Sequence, residues 1–191
     1  MKTKKLATLF LAMLMTGCVS KPADKTHYYL LNAPASIAQS SEIITEPDFV
    51  LERIRVPDYL LQPNLVMQLS SNKLHHASLH VWAESIPDSV SKVLIDNLQS
   101  SGMRVHDHSE SDINIKRLFV QIIHFYPTDK SKVILSGKYW VEDPTVRRVL
   151  KGKRFTFESQ LMKDGYSHSV DKMRELLKEL SKDILNELNR K

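Results

Sequence analysis

The chain reads as a single α+β domain, a mostly antiparallel sheet with two amphipathic helices packed on one face. Three observations predict it. Between His27 and Leu161, short runs place apolar residues at every second position, the period of a strand with one buried face. Ile86 to Leu98 and Ser169 to Asn189 instead repeat apolar residues every three or four positions, as a helix with one buried stripe does. The order of elements, strands, a helix, three or four strands and a second helix, describes α+β layering.

The first 17 residues stand apart from that domain. Lys2, Lys4 and Lys5 open the chain, and Leu6 to Met15 form an apolar run. The run is too short for a permanent transmembrane helix, which needs ~20 apolar residues. It closes on Leu14-Met15-Thr16-Gly17 and then Cys18, the one cysteine of the chain. Small residues directly before a thiol, in place of an A-x-A-like cleavage site, look like a bacterial lipobox, with Met15 where leucine is more usual. Residues 1–17 then form a lipoprotein signal peptide, and Cys18 becomes the acylated first residue of the mature chain. The competing reading is a plain signal peptide followed by an incidental free cysteine. One acyl chain anchors only marginally, whereas the multiply acylated cysteine of bacterial lipoproteins holds firmly. Residues 18–25 make a polar, aperiodic, flexible tether. Val19 stands where an aspartate usually signals inner-membrane retention, so the expected destination is the outer membrane, facing the periplasm.

His27 to Leu31 has the density of a short strand, stopped by Asn32-Ala33-Pro34, and Ala35 to Pro47 reads as a surface loop. Phe49 to Val56 is a second strand whose phase switches around Glu52-Arg53. Tyr59 to Pro63 is a loop or short turn exposing apolar residues, and Leu65–Leu69 with Leu74–Val81 form a hairpin turning at Ser70 to Lys73. Ser85 is the expected N-cap of the first helix, with Asp88 three residues on, Pro87 in the first turn and Gly102 as the left-handed C-terminal cap. Met103–His106 is a short strand, and Ile113–Phe125 a long one whose phase shifts near Arg117 as a β-bulge would make it. Tyr126 to Lys130 is a turn. Val133, Leu135, Tyr139 and Val141 share one face of the next strand with Gly137, where the missing side chain implies close approach by a neighbour. Val149 to Leu161 continues an antiparallel meander, and Val170, Met173, Leu177, Leu180, Ile184 and Leu188 form the stripe of the final helix.

Cleavage before Cys18 leaves 174 of the 191 residues, enough for one sizeable core. The full chain carries +5, but three lysines leave with the leader, so 24 basic residues face 22 acidic ones and the net charge falls to +2. That gives little support to a nucleic-acid partner, which needs a clustered basic face. A lone cysteine forms no internal disulfide. No G-x-S-x-G, P-loop or G-x-G-x-x-G occurs in the sequence, so no catalytic residue is assigned. His75-His76-x-x-x-His80 and His106-x-His108 lack the spacing and thiolates of a structural zinc site and read as surface or loop histidines. No metal or cofactor is expected beyond the lipid on Cys18. Glu52 and Glu84 read as solvated carboxylates, since nothing in the sequence brings them together as an acid–base pair. Among the aromatics, Tyr28, Tyr29, Trp82 and Tyr139 read as core. Tyr59-Leu60-Leu61, in a loop, and Trp140, on the polar phase of a strand, are the candidate docking surface, because exposed aromatics are enriched at interfaces.

His27-Tyr28-Tyr29-Leu30-Leu31, Val56-Pro57-Asp58-Tyr59-Leu60, Trp82-Ala83-Glu84, Asn97-Leu98, Lys132 to Gly137 and Asp164-Gly165-Tyr166 stand in an order that resembles the ABC-type transport auxiliary lipoproteins. Members typically carry proline directly before the apolar residue that starts the first helix, whereas this chain has Ser85-Ile86-Pro87. The resemblance covers 26–191 and implies a non-enzymatic outer-membrane lipoprotein of an intermembrane phospholipid transport system. Its implied partner is an inner-membrane protein bearing MCE domains, whose periplasmic bridge the domain docks, with homo-oligomerisation into a ring plausible on the same grounds. Two other classes remain open: a lipoprotein that binds and carries lipid or a small molecule itself, and a metal-dependent hydrolase using the histidines.

Overall fold

The computed structural model describes residues 24–32, 48–108, 114–146 and 148–189. Its elements follow as β1 (His27–Tyr29), β2 (Phe49–Leu51), a 3-10 turn (Asp58–Leu60), β3 (Asn64–Ser70), β4 (Lys73–Trp82) and α1 (Ile86–Ser100). Then come β5 (Val105–Asp107), β6 (Lys116–Pro127), β7 (Lys132–Asp143), β8 (Arg148–Gln160) and α2 (Tyr166–Asn189). The leader, Cys18, most of the tether and the expected loop Ala35–Pro47 lie outside the described residues.

The class is α+β, with the strands divided between two mixed sheets, β1-β4-β3 and β5-β2-β6-β7-β8. The meander β6-β7-β8 and the hairpin β3-β4 are antiparallel, while β1 runs parallel to β4, and β2 runs parallel to both β5 and β6. Alternation in the sequence records which face of a strand is buried and not which strand lies beside it, so these parallel neighbours carry no local signal. The sheets meet where Gln68 bridges Thr128 and the Asp129 N–H donates to the Gln68 carbonyl at 2.8 Å.

In α1, Ile86, Val90, Leu94 and Leu98 recur at four-residue intervals and are buried on one stripe. Ser85 caps it: its hydroxyl accepts from the Asp88 N–H at 3.3 Å and donates to the Asp88 carboxylate at 2.6 Å. The helix closes as a Schellman motif. The Met103 N–H reaches the Leu98 carbonyl and the Gly102 N–H the Gln99 carbonyl, with Gly102 at φ +86°.

The long strands supply the opposing wall. Leu118, Val120 and Ile122 of β6, Val133, Leu135, Tyr139 and Val141 of β7 and Phe155 of β8 join one core with both helical stripes. Each fully buried leucine in such a core contributes roughly 1.5–3 kcal/mol over its exposed state. The expected bulge at Arg117 is found elsewhere, because the β6–β7 register is continuous from Arg117 to Ile122 and slips between Ile122 and His124. Ile123 is the extra residue, and it turns outward. Gly137 faces Ile122 at that position, and a Cβ there would lie 2.1 Å from the Gln121 carbonyl oxygen. The close approach expected at this glycine is therefore backbone against backbone.

Helix α2 is held to the sheet by polar contacts at the rim of its apolar face. Tyr139 donates its hydroxyl proton to the Asp183 carboxylate at 2.9 Å, Lys153 pairs with the same carboxylate, and Lys151 donates to the Glu187 carbonyl at 2.9 Å. At the other end Arg174 donates from Nε to the Leu31 carbonyl and from Nη2 to the Leu30 carbonyl, both at 2.7 Å. The guanidinium thereby fixes the chain just after β1.

Candidate functional site

The four candidate docking residues fall into two places, three in and just after the 3-10 turn and Trp140 on β7. Leu60 is not a surface residue: it is 3 % exposed and belongs to the core, because the 3-10 turn directs it inward. Tyr59 is half-buried. Its hydroxyl donates at 2.6 Å to the carbonyl of Ile123, the extra residue of the bulge. Burial, with a smaller contribution from Tyr126, raises the Tyr59 phenol far above its ordinary range, so it remains a donor. Leu61 is 57 % exposed beside that turn. Tyr28, expected in the core, is 71 % exposed, since β1 is a three-residue edge strand and turns this ring away from β4's covered side.

Trp140 stands on the face of the five-stranded sheet opposite the helices. It pairs across the ladder with Phe119, the rings stacked 5.1 Å apart at 4°. Its indole N–H donates to the Glu142 carboxylate at 2.7 Å. Arg55, carried by the extension of β2, lies 5.8 Å from the Phe119 ring and 5.7 Å from the Trp140 ring, and the Lys138 ammonium is 5.4 Å from Trp140. Cationic groups over these rings are attracted by the π-face. Arg117 on the same face pairs with Glu52 at 2.6 Å. The turn and the tryptophan are reached from Ile123 and Phe119, four residues apart on β6 and so on the order of 13 Å along the strand.

Sequence reasoning found Trp140 but not its company. Phe119 lies on the same polar phase of β6 that singled out Trp140 on β7, which was the available signal. Arg55 reaches the stack through a parallel pairing, Arg55 with Gln121, that no local pattern announces.

The remaining candidates are dispersed. Glu52 is held by Arg117, and Glu84 pairs with Lys92 and accepts from Ser89 at 3.0 Å, so each carboxylate has its own partner. His75 and His76 are exposed on β4, and His108 contacts Asp107. Among the described residues no three His, Cys, Asp or Glu side chains converge as a metal site requires, and no helix is long and apolar enough to cross a membrane. His80 is instead packed between His27, at 5.2 Å, and Tyr166, at 3.9 Å, with the Tyr29 hydroxyl 2.8 Å from Nδ1.

Burial, and then the neighbouring His27, push the His80 imidazole below its ordinary value of 6.5. The folded chain favours neutral His80, so on acidification the unfolded chain binds this proton first. Stability from this group is full above about 6.5 and falls as pH drops from there to the lowered folded value. Thermal unfolding measured from about pH 7.5 to about pH 5 should show a declining midpoint whose slope His80→Gln reduces. Identical slopes in the two proteins would remove the group from the account.

A family model described as ABC-type transport auxiliary lipoprotein component matches residues 29–185. The chain is 26 % identical over 189 residues to the intermembrane transport lipoprotein PqiC of Escherichia coli (strain K12), covering 98 % of each. In fold it is similar to the crystal structure of an uncharacterized protein, with TM-score 0.73 and 22 % identity over 87 % of this chain and all of that one. A crystallised protein from Xanthomonas campestris matches with TM-score 0.62 and 10 % identity over 86 % of each chain.

Proposed function

The chain belongs to the ABC-type transport auxiliary lipoprotein family, and on that premise we propose that it is a non-enzymatic component of an intermembrane phospholipid transport system. In this reading Cys18 carries the lipid, the following residues tether the domain to the outer membrane, and the domain docks the periplasmic bridge of an inner-membrane MCE-domain protein. The observation that carries it is alignment with an intermembrane transport lipoprotein across 98 % of both chains. The exposed Leu61, held in place by the neighbouring Tyr59 hydrogen bond, is the proposed first contact of the bridge. β8 ends its sheet as a strand of 13 residues, and its outer edge suits assembly of copies into a ring.

A photo-crosslinker placed at Leu61 in cells should capture an MCE-domain protein, and Leu61→Ala should weaken its co-purification while thermal unfolding is unchanged. Capture of no such protein from Leu61 or from other exposed positions would count decisively against the docking role.

A further inference from the structure

The open face of the five-stranded sheet carries charges that folding alone does not explain. Lys138 on β7 stands directly opposite Arg154 on β8. Like charges at directly opposed positions repel. Both side chains are exposed, and neither forms an ion pair among the described residues. Arg55 brings a third cation to the same place over the Phe119–Trp140 stack. Of the acidic groups on this face, Glu52 is paired with Arg117 and Glu158 with Lys132 at 2.8 Å, while Glu142 accepts from the Trp140 indole and leaves Lys138 and Arg154 without an ion-pair partner among the described residues. Beside Trp140 lies an open depression whose lining includes Lys138 and Arg154, with Val149, Gly152 and Lys153, while Arg55 stands outside it. Gly152 faces Trp140 across the ladder and keeps the indole uncovered, since even a Cβ there would stand 3.2 Å from the Trp140 Cβ.

We propose that this face receives the phosphate headgroups of an anionic phospholipid surface, with Trp140 seated at the boundary between headgroup and acyl chain. The three cations supply the attraction to phosphate. Exposed Val146, Val149 and Leu150 at the adjoining end of the β7–β8 hairpin supply apolar contact. Tryptophan, lysine or arginine and exposed aliphatic groups on one face suit the polar–apolar boundary of a bilayer. An acidic protein segment would satisfy the cations but leave that aliphatic end uncovered. The inference rests on the membrane-anchored reading above and adds which face the anchored domain turns to the lipid.

The test uses the full lipidated chain in vesicles of phosphatidylcholine alone or mixed with phosphatidylglycerol, the lipids brominated near the headgroup. Trp82 is buried, so quenching and a blue shift of tryptophan emission report on Trp140, as Trp140→Phe verifies. Both signals should appear with phosphatidylglycerol, weaken in salt and be lost in the Lys138→Glu/Arg154→Glu variant, whose fold is checked by thermal unfolding. Crosslinking from Leu61 should survive in that variant, which separates failure of this inference from failure of the docking role. Equal signals in the two vesicle types, or a phosphatidylglycerol signal that the charge reversal leaves intact, would overturn the proposal. So would an equal emission shift with soluble glycerol phosphate alone, which would mark a small-anion site. Loss of partner crosslinking in the charge-reversed protein, without lipid dependence in the parent, would assign the face to a protein and overturn it likewise.

Discussion

Gly137→Ala should cost ~3 kcal/mol or more, because the added Cβ would stand 2.1 Å from the Gln121 carbonyl oxygen, a distance no rotamer can relieve. Phe155 Cζ, 2.9 Å from the same point, is a flexible ring end and can move, but the carbonyl belongs to the ladder between β6 and β7. Making room means parting those strands in the middle of the sheet. For a domain of this size the loss corresponds to a drop in thermal midpoint of ~6–12 °C. Gly152→Ala is the control, since its Cβ would meet the Trp140 Cβ at 3.2 Å and needs only a small adjustment at an open surface. If calorimetry finds Gly137→Ala within about 1 kcal/mol of the parent protein, the pairing of Ile122 with Gly137 is misassigned.

Cys18→Ala, exported behind an ordinary cleavable secretory leader in place of residues 1–17, should abolish membrane attachment while leaving the domain folded. The proposed lipid on Cys18 would hold the chain through its acyl groups, each buried CH₂ contributing ~0.8 kcal/mol. Fractionation should move the protein from the membrane pellet to the soluble fraction, with unchanged circular dichroism and thermal midpoint. Retention in the pellet after a salt wash would show that something other than Cys18 holds the chain. Globomycin treatment offers an independent check, since accumulation of an uncleaved, lipidated precursor is expected from a true lipobox.

Much of this fold was legible because burial and local geometry leave marks along the chain. Ser85, Pro87 and Gly102 bracket α1 by the chemistry of helix ends, and Leu94 and Leu98 mark its buried stripe. Gly137 announced its crowded position by lacking a side chain where the buried phase called for one. Strand partners were not legible. Nothing near Phe49 states that it will lie parallel to both Val105 and Lys116, because those pairings are selected by the assembled core. The change of apolar phase at Arg117 predicts a bulge there, yet the register breaks at Ile123, where a side chain must turn outward to keep Phe125 inside. For the site, Trp140 was visible as an aromatic on a polar phase. Leu60 carries no local sign that its turn points it into the core, and Arg55, Lys138 and Arg154 look like ordinary surface cations until three strands set them side by side.

The Arg174 contacts with Leu30 and Leu31 also decide how the domain bears load. Any pull on the chain ahead of His27 enters through β1, whose hydrogen bonds to β4 run across the strand and are strained together in shear. What passes beyond Tyr29 meets two charge-assisted bonds from a helix of 24 residues packed on the main sheet. A pull from the N-terminal side is thus handed to α2 and the sheet it packs on before it can peel the fold open from its end.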